Sequence, residues 1–177
     1  MNILAIGGSN SSTSINRKLA LYAAQQVPNA SVTLFDVSKI DLPLFSVQLE
    51  AQIGSHPIAI DFASQIDQSD LIVLSLAENN GSYNAGFKNL VDWTSRISNR
   101  KTWGNKPMLL LATSPGARGG KTVLESAKNY FPFMGADLKG TFSLPKFGEN
   151  FSEENGITDA VLKEELLQVI QSYLSNL

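Results

Sequence analysis

From Gly7 to Asn16 the chain reads GGSNSSTSIN, directly behind an apolar opening. Ser9, Ser11, Ser12, Thr13, Ser14 and Asn16 offer hydroxyl and amide donors there. If a helix starts at this point, its free N–H groups and partial positive charge add to them, and the set suits an anion. No lysine or arginine lies between Gly7 and Asn16. The helix dipole contributes only about 0.3–2 kcal/mol, so uncharged donors must supply the rest. That fits one monophosphate. It is a poor match to a triphosphate with magnesium, and neither GxxxxGK[ST] nor GxGxxG is present. Asp36, near the end of a second strand, could serve as a ribose-binding acid; a solvated strand end is the simpler reading. Taken alone, the serine-rich loop reads equally well as a turn with Ser14 or Thr13 capping the helix.

Two further segments carry comparable signals. In AENNGSYNAGFKNLVDW (Ala77–Trp93), Gly81 and Gly86 would let main chain approach a flat ligand closely. The plainer alternative is a turn with a cap at Ser82 or Asn84, Asn89 and Asp92 as ordinary helix polar residues, and Trp93 as packing. In TSPGARGG (Thr113–Gly120), three glycines around a proline form a bent wall poor in side chains, or a loose surface loop. Arg118, the one cation in that segment, reads as solvated rather than as a partner for a cofactor phosphate. Other chemistries find little support. His56 is the sole histidine and there is no cysteine, so no metal site and no thiol or histidine-assisted nucleophile is expected. His56, just before Pro57, suits a loop or cap. Glu153-Glu154 and Glu164-Glu165 read as solvated faces.

These segments need elements to hold them. At 177 residues, 43% hydrophobic and 17% charged, the chain forms one domain, 1–177, with a substantial core. A net charge of −2 without a basic run argues against nucleic acid or a membrane surface as partner. No apolar run spans a bilayer and no signal peptide is evident, which predicts a cytoplasmic protein. Strands are predicted at Met1–Ile6, Ser31–Val37, Asp70–Leu76, Lys106–Thr113 and Asp137–Phe142. Between them run helical stripes: Ile15, Leu19, Tyr22, Ala23 and Val27; Ile58, Phe62 and Ile66 behind Pro57; Phe87, Leu90, Val91 and Ile97; Val123, Ala127, Tyr130 and Met134. Leu162, Leu166, Val169, Ile170 and Tyr173 mark a closing helix. Leu42–Phe45 (LPLF) lies in a loop, and Phe147–Gly156 reads as a polar loop. Alternation of strand and helix predicts a flavodoxin-like three-layer α/β/α sandwich with a five-stranded parallel sheet, order 2-1-3-4-5. Ligands bind at the strands' carboxyl ends in such sheets. The loops Gly7–Ser14, Ala77–Ala85 and Ser114–Gly120 should share that rim.

Together the three segments resemble the NADPH-dependent FMN reductase family, which includes quinone, chromate and azo reductases. The family's first loop reads GS-x-R-x-x-S-x-N; Gly8-Ser9, Ser14 and Asn16 match, with Ser11 at the arginine position. Its second reads PEYNGS followed by LKNAIDW; Glu78, Asn80, Gly81 and Ser82 match, and Phe87–Trp93 follows at the same spacing. Its third, SPGxxGG, is matched by Ser114-Pro115-Gly116 and Gly119-Gly120. The likeness spans nearly the whole chain. It implies that Ser9, Ser11, Ser14, Ile15 and Asn16 hold the FMN phosphate. Glu78, Asn79, Asn80 and Gly81 would line the isoalloxazine, largely through main chain. Ser114, Gly116, Gly119 and Gly120 would close the other side. It further implies NADPH or NADH as hydride donor, a small-molecule electron acceptor, and a homodimer or homotetramer with the flavin near the interface, the helix of Trp93 being a candidate contact. Ala77 and Asn79 replace the usual proline and tyrosine. They point to a changed flavin affinity or substrate choice, and Ser11, which removes a charge from the phosphate site, points to weaker FMN binding than the family norm. Hydride would pass from nicotinamide to flavin and electrons on to a quinone, flavin or similar acceptor, with no protein acid or base required. Two alternatives are an electron carrier without nicotinamide turnover, for which −2 is a mild charge, and a flavin-less small-ligand or interaction module.

Overall fold

A computed structural model describes residues 1–176. Five parallel strands form the central sheet: β1 (Asn2–Gly8), β2 (Ser31–Asp36), β3 (Leu71–Asn79), β5 (Lys106–Thr113) and β6 (Ala136–Leu144), in the order β2-β1-β3-β5-β6. Numbering only these five, the order is the predicted 2-1-3-4-5. A two-residue strand, β4 (Ser82–Tyr83), adds an antiparallel hairpin to the end of β3. Strands β3 and β5 are almost wholly buried because helices cover both their faces. On one side lie α3 (Pro57–Gln68), α4 (Ala85–Ser95) and α5 (Lys121–Tyr130), around Phe62, Phe87, Trp103 and Phe131. On the other lie α1 (Ile15–Gln25) and α7 (Ala160–Leu174), around Leu19, Phe142, Leu166 and Ile170. Among the described residues, no helix is long and apolar enough to cross a membrane.

Local chemistry sets the helix starts. Ser14 caps α1 by accepting the Arg17 N–H (3.1 Å). His56 caps α3, its Nδ1 accepting the Ile58 N–H (3.2 Å), and Pro57 fills the first turn where no N–H is needed. The single histidine is therefore a structural cap.

Two segments differ from the sequence reading. Beyond LPLF a short helix, α2 (Val47–Ile53), forms behind a Ser46 cap; none of its residues is buried, so no apolar stripe announced it. The Phe147–Gly156 segment is not a polar loop. It holds α6 (Phe147–Asn150) and a small hairpin of β7 (Phe151–Ser152) with β8 (Gly156–Ile157). Phe147 and Phe151 stack with centroids 4.5 Å apart and join the α1/α7 core, an anchoring masked by the polar residues between them.

Candidate functional site

Strand β1 feeds the first loop. Gly7 is obligatory because α1 crosses directly over it: a Cβ there would sit 2.5 Å from Arg17 Cα. The loop then coils on itself. Ser9 Oγ accepts the Ser11 N–H (3.2 Å), Ser11 Oγ accepts the Thr13 N–H (3.3 Å), and the Ser11 carbonyl accepts the Ser14 N–H (3.2 Å). Ser9 and Ser14 are buried at its base, whereas Ser11, Ser12 and Thr13 are exposed. A hydroxyl whose oxygen accepts still has its proton to donate. The N–H groups of Ser12, Ile15 and Asn16 take no partner among the described residues. These donors converge on a helix N-terminus, a chemistry made for one anion.

The Asn16 side chain is turned into the sheet. It is only 2% exposed. Its Oδ1 accepts the Thr113 N–H (3.1 Å) and the Ser75 hydroxyl (2.7 Å), and its Nδ2 donates to the Thr113 carbonyl (3.2 Å). Both ends of the amide bond to β3 and β5, which leaves one Nδ2 hydrogen and the main-chain N–H of Asn16 for a ligand. Ser75, inside apolar β3, and Thr113, ending apolar β5, were the signal for this pairing.

Arg17 is the residue that reasoning from the sequence missed. It lies one position beyond the cation-free stretch, and its side chain folds back under the loop. Nη1 reaches Asp36 Oδ2 (2.8 Å) and Ser38 Oγ (3.3 Å), and Nη2 donates to the Ser12 carbonyl (2.7 Å). Asp36 is thus ion-paired, neither a solvated strand end nor a free ribose acid. Burial pushes its carboxyl pKa up, but the Ser38 hydroxyl and N–H and the Arg17 guanidinium outweigh this and hold it below its ordinary value. The arginine's charge is already matched, and it supports the loop mechanically.

The second loop is more ordered than a turn. Strand β3 continues past the sheet to Asn79, and Asn80 (φ 51°) and Gly81 (φ 76°) reverse the chain into β4. Two positive φ values in an Asn-Gly pair mark a type I′ hairpin. Gly81 is therefore required by backbone conformation; no atom comes nearer than 4.0 Å to its missing Cβ. Gly86 allows a close approach by Asn10, not by a ligand, since an added Cβ would lie 3.0 Å from Asn10 Cβ. Asn84 joins the two loops. Its Oδ1 accepts from the N–H of Phe87 (3.2 Å) and of Asn10 (3.2 Å), and its Nδ2 donates to Asn10 Oδ1 (3.0 Å) and Asn79 Oδ1 (3.1 Å). Asn79 carries this contact where the family pattern has tyrosine.

Glu78 links the second loop to the third. Helix α5 begins at Gly120, which has no side chain to cap it. Glu78 Oε2 accepts the Val123 N–H (3.0 Å) instead, placing a carboxylate at a helix N-terminus. The third loop is a braced wall, not a loose one. The Gly116 carbonyl accepts from the N–H groups of Gly119 (3.2 Å) and Lys146 (3.0 Å), and the Ser114 carbonyl from Phe147 (3.1 Å). Ser143 donates its hydroxyl to the Gly119 carbonyl (3.0 Å). Gly119 and Gly120 are buried, and Arg118 is exposed with a bond to Thr122 in its own segment.

Helix α4 closes one flank. Asn89 Oδ1 accepts the Phe45 N–H (2.8 Å), Asn89 Nδ2 donates to the Pro43 carbonyl (3.0 Å), and Trp93 Nε1 donates to the same carbonyl (2.8 Å). Asn89 is therefore no ordinary surface residue; it docks LPLF. Trp93 is fully buried against Phe45 and His56, so its ring packs within its own chain and offers nothing to a partner. No metal-binding cluster of acidic or histidine side chains occurs among the described residues. All three predicted loops share the carboxyl rim, and Asn10, Asn16, Glu78 and Asn84 bind them to one another and to the sheet.

The chain is similar in sequence and in fold to known proteins. The chain is 30% identical over 179 residues to an NADPH:quinone oxidoreductase of Arabidopsis thaliana, covering 97% of this chain and 89% of that one. A quinone reductase of Pseudomonas putida is 33% identical over 134 residues, 75% of this chain and 70% of that one. Among solved structures, FerB of Paracoccus denitrificans, a flavoenzyme NAD(P)H:(acceptor) oxidoreductase, superposes with a TM-score of 0.79 at 23% identity, covering 98% of this chain and 95% of that one. An FMN-dependent NADH-azoreductase of Bacillus anthracis, solved with FMN, gives 0.66 at 12% identity over 99% of both chains. At those identities the structures speak to the fold. Residues 1–149 match the family described as NADPH-dependent FMN reductase, and with that match and the plant relative the chain belongs to this family of FMN- and NAD(P)H-using oxidoreductases.

Proposed function

We propose that this protein binds FMN at the carboxyl rim and uses it to pass electrons from NAD(P)H to a quinone-type acceptor. The donor set of the first loop carries the reading. Hydroxyls of Ser9, Ser11 and Ser14 and the N–H groups of Ser12, Ile15 and Asn16 suit a phosphate ester, while the Asn16 amide supports them from beneath. The Glu78–Gly81 hairpin and the wall of Ser114, Gly116, Gly119 and Gly120 would line the two sides of the isoalloxazine ring. Bound FMN supplies hydride acceptance and electron release; the protein's part is position and electrostatics. The transfer requires no protein acid or base in principle. The three loops present polar main chain and small residues, and nicotinamide and acceptor would use the same flavin face in turn. Quinones are the favoured acceptor class because two of the relatives above are named for them.

Seating the phosphate without a free cation makes affinity depend on hydrogen bonds, each worth about 0.5–1.5 kcal/mol net. Arg17 cannot supply the missing charge while it pairs with Asp36. The protein works as a homodimer or homotetramer in the cytoplasm; exposed Leu44, Val47, Ile53 and Ile60, on or beside α2 and α3, support a contact between copies. Titrating the purified protein with FMN and following flavin fluorescence tests the reading. Saturable quenching at one FMN per chain is expected, followed by NAD(P)H consumption when a quinone is added. A chain that neither quenches FMN nor consumes nicotinamide would overturn it.

A further inference from the structure

The chain contains two Asn-Gly pairs, Asn80-Gly81 and Asn155-Gly156. In such a pair the main-chain nitrogen of glycine can attack the asparagine side-chain Cγ, because no Cβ hinders the backbone from swinging into reach. The tertiary structure places the two pairs in opposite circumstances.

In Asn155-Gly156 the asparagine side chain is exposed, but the main chain is restrained. The Asn155 N–H donates to Ser152 Oγ (3.0 Å), and Gly156 is paired opposite Ser152 in the β7–β8 hairpin. Gly156 is buried flat under the Tyr22 ring, with no room even for a Cβ, and Tyr22 is itself held edge-on by Phe151. Turning this peptide toward attack would displace an aromatic cluster. Asn80-Gly81 forms the tip of a hairpin only two residue pairs long. Asn80 is exposed, and neither its amide nor the Gly81 N–H has a hydrogen-bond partner among the described residues. Glu78 and Asn79 hold the strands below, but the turn peptide itself carries no bond and can rotate locally.

We propose that Asn80 is a spontaneous modification site that ages the rim, while Asn155 is protected. The Gly81 nitrogen forms a bond to Asn80 Cγ as the carboxamide C–N bond breaks. Ammonia departs with the proton from Gly81, leaving a cyclic imide. Water then opens the ring at either carbonyl, giving aspartate or isoaspartate. The net change is one water consumed and one ammonia released, with no oxidant or reductant. Either product sets a new carboxylate two residues from Glu78. Isoaspartate also inserts a methylene into the main chain, which the type I′ turn cannot hold. The consequence for cofactor binding rests on the FMN placement proposed above; the modification itself does not.

The test incubates the intact protein at mildly alkaline pH, then combines peptide mapping by mass spectrometry with enzymatic methylation of isoaspartate. Asn80 should convert at least about tenfold faster than Asn155, equivalent to about 1.4 kcal/mol in barrier. In urea-unfolded protein the two pairs should converge. Equal rates in the folded protein, or an Asn80 no faster than Asn155, would overturn the proposal. A parallel incubation with excess FMN separates the two readings. Slower conversion at Asn80 supports both. Unslowed conversion supports the modification site and counts against a flavin ring at the hairpin.

Discussion

Replacing Asn16 by alanine separates a structural role from a ligand-binding one. The family pattern suggests that this amide touches the cofactor phosphate. The structure uses both of its ends internally, on the Thr113 N–H, the Thr113 carbonyl and the Ser75 hydroxyl. Alanine would strand two of these main-chain groups and one hydroxyl in a buried setting. Each unsatisfied buried group costs about 1–3 kcal/mol, and relaxation or an entering water recovers part, so a loss of about 3–5 kcal/mol is expected. That is a large share of the 5–15 kcal/mol, roughly, that holds a domain together. Urea denaturation followed by tryptophan fluorescence reads it as a lower midpoint at unchanged slope. Ser75→Ala removes one of the three bonds and should cost only about 1 kcal/mol. In the folded fraction of Asn16→Ala, FMN affinity should fall less than about tenfold, since the main-chain N–H survives. Near-normal stability with FMN binding abolished would refute the reasoning and return the amide to the cofactor.

Asp36→Asn should destabilise the protein near neutral pH and lose that effect in acid. The folded carboxyl titrates below its ordinary value of 3.8, so its contribution is present above that value and disappears as pH falls through the lower folded value; urea midpoints of both proteins across this range check the sign. Glu78→Ala should cost about 1 kcal/mol by uncapping α5, whereas Glu78→Gln should retain most of it, as thermal melts would report. Asn84→Ala should cost about 1–2 kcal/mol by uncapping α4 and weaken FMN about tenfold in Kd in the folded fraction, because it releases the first loop from the second; equal affinities in a fluorescence titration would count against that coupling.

Much of this molecule is local enough to read along the chain. Apolar runs such as Leu71–Leu76 and Met108–Ala112 read as central strands, and alternation with helical stripes leaves few sheet orders, of which the glycine-rich first loop favours the one observed. That order alone brings the three small-residue loops to one rim. His56 before Pro57 is a cap by the same local logic. The α2 helix was invisible because none of its residues is buried, and the Phe147–Gly156 segment was misread because two anchoring rings stand among polar neighbours.

Partnership is different in kind. Whether Asn16 faces a ligand or Thr113, 97 residues away, depends on which strand lies beside the first loop. Whether Arg17 lends its charge to an anion depends on Asp36, and whether Glu78 is free depends on a helix that starts at a capless glycine. A residue's type and spacing specify what it can bond. Which of its bonds are already taken is decided only when distant strands come side by side, because a hydrogen bond reaches about 3 Å and chain order says nothing at that range.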